Sequence, residues 1–207
     1  YITSFLFAEL LGLEVVLMTD EKLFVQSDGI RVNYSTQTLA CELCITPYGL
    51  LEETEVQAQR LNVSRWQDLP YFFGVENADI PFDVCSASFY LLSRYEEYLP
   101  YTADEHDRFP VENSIAYREN FLHLPLIDLW MMEIKKMLLT KYSTIEFPAK
   151  KMRYLPTYDI DIAFSYIGKE LWRTLGGLLR DTIQFNWHLV TQRCKVLLKK
   201  ELDPFDS

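Results

Sequence analysis

PFDVCSASFYLLSRYEEYLP, residues 81–100, carries the clearest local pattern in this 207-residue chain. Phe82, Cys85, Phe89, Leu92, Tyr95 and Leu99 recur at three- and four-residue steps, the spacing of one helix face. Pro81 precedes the run, Asp83 can accept the free N–H groups of a first turn, and Pro100 cannot continue a helix. The spacing predicts a helix over 82–99 with that stripe buried.

Working outward, a second helix is predicted from Leu126 to Lys141. Pro125 suits its start, and Ile127, Trp130, Ile134 and Met137 or Leu138 form its apolar stripe. Between the two, residues 101–120 are polar and read as a loop with at most one short turn. Toward the N-terminus the pattern changes period. Ile30, Val32 and Tyr34 alternate with polar residues, as do Leu39, Cys41, Leu43 and Ile45 with their neighbours, so both segments read as strands. Asp28-Gly29 marks a turn, and Pro47 with Gly49 ends the second strand. Glu14 to Met18 and Tyr71 to Phe73 are further strand candidates. Residues 3–11 read as a short helix that Thr3 or Ser4 can cap and Gly12 can close. After Pro148, Met152 to Tyr158 reads as a new strand. Two helical stretches follow, 166–181 and 187–201, the first weakened by Gly176-Gly177. Alternating strands and helices give an α/β class, with a domain over 1–150 and a second beginning at 151.

Composition narrows the function. The chain is 49% hydrophobic and 14% aromatic, ample for a packed core. Its net charge of −10 and pI near 4.8 argue against broad nucleic-acid binding, which needs basic surface to meet phosphates. No apolar run approaches the roughly 20 residues that span a bilayer. The first residue is Tyr1 rather than Met, so a start and any leader are expected upstream. Residues 166–200 are locally basic and carry Trp172 and Trp187. A contact with an anionic membrane is one reading; a solvated helix face, or a surface packed on a further domain, is the plainer one.

Cys41 and Cys44 have CxxC spacing, but no second CxxC or HxxxH completes a zinc site. On a strand, residues three apart face opposite ways, so two buried thiols are expected. Free thiols lean the compartment toward the cytoplasm rather than the periplasm or envelope. Asp104-Glu105-His106-Asp107 could hold a cation weakly, but in a polar loop it reads as a solvated charge cluster. Arg94, Glu96 and Glu97 could line a sugar site, with Tyr90, Tyr95 and Tyr98 stacking on a ring. The helical period turns Tyr95 into the core instead.

Thr157-Tyr158-Asp159-Ile160-Asp161 is the strongest chemical candidate. Two carboxylates two residues apart at the end of an apolar strand share one side if the chain stays extended. Strand ends are where α/β folds form ligand crevices. Two acids in one crevice can divide labour, one ligating a metal and one accepting a proton from water. The plainer reading is a pair of exposed acids, one of them capping the next helix.

This pentapeptide resembles the first motif of NodB-type polysaccharide deacetylases. Pro81-Phe82-Asp83 and the run Phe89 to Tyr98 resemble the N-terminal region of a group of Bacteroidetes proteins of that family. So do Asp107-Arg108-Phe109-Pro110, Ser114-Ile115-Ala116-Tyr117 and Pro125 to Trp130. The Ser93-Arg94-Tyr95-Glu96-Glu97-Tyr98 run is more specific than the acidic pair. The resemblance implies a metal-dependent carbohydrate N-deacetylase acting on a polysaccharide or cell-envelope glycan. It makes Asp159 the catalytic base and Asp161 a ligand of a divalent ion, usually zinc. It also implies that 151–207 begins a deacetylase (β/α) barrel that stops short of completion. His106, His123 and His188 show no HxxxH spacing, and the later motifs have no counterpart. The expectation is therefore that this chain alone holds no tightly bound metal and is inactive. The rival reading is a non-catalytic module that binds glycan or a protein partner.

Overall fold

The computed structural model describes residues 1–142, 145–149, 152–157 and 164–204. The chain is of mixed α/β class and divides into two compact units, Tyr1–Lys150 and Lys151–Ser207.

In the first unit, α1 (Ile2–Ser4) runs on as a π-helix over Phe5–Leu10. No side chain caps its start, so neither Thr3 nor Ser4 does so. Gly12 follows with φ +75°, the left-handed conformation expected of a helix-closing glycine. Here it also makes room for Pro148, since a Cβ at position 12 would lie 2.5 Å from Pro148 Cγ. Residues 14–18 do not form the expected strand. Val16 and Leu17 stand 69% and 68% exposed, and no ladder neighbour pairs with them. Helix α2 (Glu21–Gln26) is a short exposed turn whose start Asp20 caps.

Strands β1 (Val32–Tyr34) and β2 (Leu43–Ile45) pair in parallel, Val32 opposite Leu43 and Tyr34 opposite Ile45. A parallel pair usually needs a connection of a dozen or more residues; here eight suffice. The ends are clamped where the strands enter: Glu42 N–H donates to Arg31 O at 3.0 Å, and Arg31 N–H to Glu42 Oε2 at 2.6 Å. Leu43 and Ile45 point into the core, while on β1 the buried residue is Asn33. It is satisfied locally, its amide donating to Gln37 O and its oxygen accepting from Ser35.

Strands β3 (Ser64–Trp66) and β4 (Leu69–Tyr71) form an antiparallel hairpin. Gln67 and Asp68 turn it, both at positive φ (51° and 63°), a two-residue hairpin turn built without its usual glycine. That missing glycine hid β3 from the sequence reading.

Helix α3 (Val84–Leu92) is the heart of the predicted 82–99 helix, but it stops early. Arg94 adopts φ +53° and the chain re-enters as a 3-10 turn over Tyr95–Tyr98. The expected stripe is only partly buried: Leu92 is 44% exposed, while Val84, Cys85, Ser86, Ala87, Ser88 and Tyr90 are all inside. The helix is enclosed nearly all round, so its stripe was a poor guide to its buried face. After a short helix α4 (Ile115–Arg118), α5 (Leu126–Lys141) matches its predicted span. Trp130, Ile134 and Leu138 are fully buried, and the Trp130 indole lies tilted against the Phe82 ring, centroids 4.9 Å apart. The core joins α1, β2, α3 and α5 around Phe72, Phe73, Phe82 and Trp130.

In the second unit, residues 152–157 are exposed and no strand forms among them, Met152 being 94% exposed. The described residues offer no neighbouring strand to pair with. Helices α6 (Leu171–Ile183) and α7 (Trp187–Leu197) form a hairpin turned at Phe185, with φ +58°. The first begins five residues later than predicted, after a turn at Gly168, and runs straight through Gly176-Gly177. Among the described residues no helix is long and apolar enough to cross a membrane.

Candidate functional site

Asp159 and Asp161, the predicted base and metal ligand, lie outside the described residues. The described lead-in, residues 152–157, is exposed and forms neither helix nor strand. Among the described residues no group of three or more His, Cys, Asp or Glu side chains could hold a metal ion. The Asp104–Asp107 cluster instead builds a turn. Asp104 Oδ1 accepts from the backbone of His106 (2.8 Å) and Arg108 (2.9 Å), with Asp107 at positive φ.

The Ser93–Tyr98 run has a structural use. Tyr95 is buried, as the helical period indicated, and stacks on Tyr90 at 5.1 Å. Its hydroxyl accepts the N–H of Gln57 at 3.0 Å. Glu96 accepts the N–H of Ile115 through both oxygens (2.9 and 3.2 Å) and so holds the start of α4. Burial pushes the Glu96 pKa above the usual carboxylate range, against that hydrogen bond and the Arg118 charge, which pull it down. Arg94 pairs with Glu97 on the surface. Of the three tyrosines read as sugar-stacking candidates, only Tyr98 is available, at 72% exposure; Tyr90 and Tyr95 are in the core.

The densest polar centre is Asp83, fully buried at the start of α3. Oδ1 accepts from Ser86 N (3.0 Å), which caps the helix as the sequence suggested. Oδ2 accepts from Ser86 Oγ (2.6 Å), Tyr34 Oη (2.9 Å) and Tyr48 N (2.8 Å). One carboxylate thus ties β1, the segment after β2 and α3 together. Burial, with the Asp83 charge beside it, raises the Tyr34 pKa well above that of a free phenol, so Tyr34 stays a donor. The chemistry is saturated: every partner is internal, and the site is a structural pin.

An open groove of about 450 Å³ lies where Arg31, Glu42, Tyr142 and Ile145 meet the Ser27–Ile30 turn. Arg31 forks onto Glu42 through Nη2 (2.7 Å) and Nε (3.2 Å) and donates Nη1 to Val25 O (2.9 Å). The Arg31 hydrogen bonds pull the Glu42 carboxyl down to about 2. Beside them Lys141 bridges Asp79 Oδ1 and Glu42 O (2.9 and 2.8 Å). This clamp escaped the sequence reading. The cue was available in retrospect, since Arg31 and Glu42 are opposite charges at the mouths of two alternating segments.

Cys41 and Cys44 are bonded to each other and half-buried, not two buried thiols. Cys41 precedes the strand, which starts only at Leu43, so the opposite-face argument does not reach it. This pairing takes two of the four thiols out of the free-thiol premise, while Cys85 and Cys194 stay free. Cys85 is buried and its thiol is pushed up by desolvation; Cys194 is exposed.

Residues 1–143 match the family of unknown function DUF7033, and the chain belongs to that family. No curated protein and no solved structure matches it.

Proposed function

For this member of a family with no assigned activity, we propose a place in a NodB-type, metal-dependent carbohydrate N-deacetylase. The substrate class is an N-acetylated polysaccharide or cell-envelope glycan, and the reaction is hydrolysis of the N-acetyl amide. The reading assigns residues 1–150 to a non-catalytic N-terminal domain and residues from 151 to the start of a deacetylase (β/α) barrel. Its main support is sequence resemblance: residues 157–161 resemble the first motif of that family, and the more specific run at residues 93–98 resembles the N-terminal region of its Bacteroidetes members. Asp159 takes the proton of the attacking water as general base, and Asp161 is a ligand of a divalent ion, zinc by resemblance. The remaining ligands come from outside residues 1–207, since no two histidines here have HxxxH spacing. The role of the saturated Asp83 and Glu96 networks is to hold the first domain rigid, not to react.

Zinc titration calorimetry on the complete protein and on the 207-residue chain tests this reading. The proposal expects a tight site in the complete protein that Asp161→Ala abolishes, and none in the 207-residue chain. A complete protein that binds no zinc, or binds it equally well with Asp161→Ala, overturns it.

A further inference from the structure

The second unit buries a charged pair at its centre. Beside the buried Tyr166 and Val196, Asp181 and Arg193 are 1% and 7% exposed and meet at 2.7 Å, and Arg193 lies 4.7 Å over the Tyr166 ring. Asp203, also buried, accepts the backbone N–H groups of Ser165, Tyr166 and Ile167. Gly177 sits where α7 crosses, because a Cβ there would lie 2.5 Å from Arg193 Nη1. Of the large apolar side chains of α6, all but the half-buried Leu178 face outward. Leu171, Trp172, Leu175, Leu179 and Ile183 recur at helical spacing and stand 58–83% exposed. Such a contiguous stripe marks a surface made to be covered.

The charge beside the stripe indicates what covers it. Lys169, Arg173, Arg180 and Arg193 surround an open cleft of about 370 Å³ at Gly176-Gly177. Asp181 is shared between Arg193 and Arg180, at 2.7 and 3.5 Å, whereas Lys169 and Arg173 make no ion pair with a described residue. Residues 164–204 carry seven Lys and Arg against four Asp and Glu, in a chain whose net charge is −10. An apolar stripe flanked by cations on one helix is the arrangement that lies in the headgroup region of an anionic bilayer, apolar side chains inward and basic side chains at the phosphates.

We propose that α6 docks this protein onto an anionic phospholipid surface, with Trp172, Leu175 and Leu179 inserted and Lys169, Arg173 and Arg180 on the lipid phosphates. This goes beyond the deacetylase reading and requires that the barrel elements which that reading places outside residues 1–207 leave α6 uncovered. The contact is peripheral, since a 13-residue helix cannot span a bilayer.

The test is vesicle co-sedimentation of the complete protein, with Trp172 emission followed by difference against Trp172→Phe. Binding to mixed phosphatidylglycerol–phosphatidylcholine vesicles, with a blue shift, is expected; phosphatidylcholine alone should bind far less. At about 1 kcal/mol per surface cation, Arg173→Gln with Arg180→Gln should weaken partitioning roughly 25-fold. Salt at about 1 M, where screening acts within about 3 Å, should do the same. Leu175→Glu with Leu179→Glu should abolish the blue shift with helicity at 222 nm unchanged, since both side chains are exposed. No binding to anionic vesicles overturns the proposal, as does equal binding to neutral ones. A dimer in sedimentation equilibrium that the leucine variant dissolves, without vesicle binding, would assign the stripe to a second copy instead.

Discussion

Removing the Asp83 carboxylate should cost the first unit much of its stability. In Asp83→Ala the α3 cap is lost, about 1 kcal/mol. The Tyr34 hydroxyl and the Tyr48 N–H then lose the acceptor at 2.9 and 2.8 Å, and each unsatisfied donor costs about 1–3 kcal/mol. The total is about 3–7 kcal/mol, a large part of the roughly 5–15 kcal/mol that holds a domain folded. Asp83→Asn gives a sharper test. Either orientation of the amide puts its NH2 against a backbone N–H, that of Ser86 or that of Tyr48, so about 2 kcal/mol is lost although the shape is kept. Tyr34→Phe removes one hydrogen bond and leaves the carboxylate its other donors, about 1 kcal/mol. Urea unfolding followed by tryptophan emission, with Trp172 and Trp187 replaced by Phe, reports the first unit through Trp66 and Trp130. The order Ala, Asn, Phe in falling cost is expected. Losses below 1 kcal/mol for both Asp83 variants would refute the view that this carboxylate pins the domain.

Other outcomes follow from the same geometry. Glu42 has a folded pKa of about 2 against an ordinary value of 4.5, so the stability it contributes is complete above about pH 4.5 and is lost as pH falls toward 2. Glu42→Gln should flatten that stretch of the acid unfolding curve. On α6, Gly176→Ala meets nothing within 4 Å and should stabilise the helix by up to about 1 kcal/mol, whereas Gly177→Ala displaces the Arg193 guanidinium and should not; thermal melts at 222 nm separate the two. Alkylation of the native, unreduced protein should label Cys194 and spare Cys85 and the Cys41–Cys44 pair, a mass shift of a single adduct by intact mass spectrometry.

The sequence is legible where one helix face alone is buried. Helix α5 has a wet side and a dry side, so its stripe and bounds could be read from spacing. Helix α3 is enclosed, and its early stop depends on Arg94 taking a left-handed conformation that no glycine announces. Short strands were harder because their existence rests on partners. Leu43–Ile45 found one in β1, whereas Val16–Met18 and Met152–Thr157, equally apolar to the eye, did not. The Ser93–Tyr98 run was read from resemblance, and its hydrogen bonds explain why those residue types are needed: an aromatic hydroxyl for Gln57 and a carboxylate for Ile115. The Arg31–Glu42 clamp depends on the parallel pairing of β1 with β2, and the Gly177–Arg193 contact on the crossing of α6 and α7, neither of which local spacing specifies.

The most direct test of the proposed activity is acetate release from an N-acetylated oligosaccharide by the complete, zinc-loaded protein, compared with its Asp159→Asn variant. A positioned general base contributes about 100-fold or more. The account predicts a loss of at least that size with zinc binding retained. An unchanged rate in the variant, or no acetate release by the wild-type protein, would contradict it.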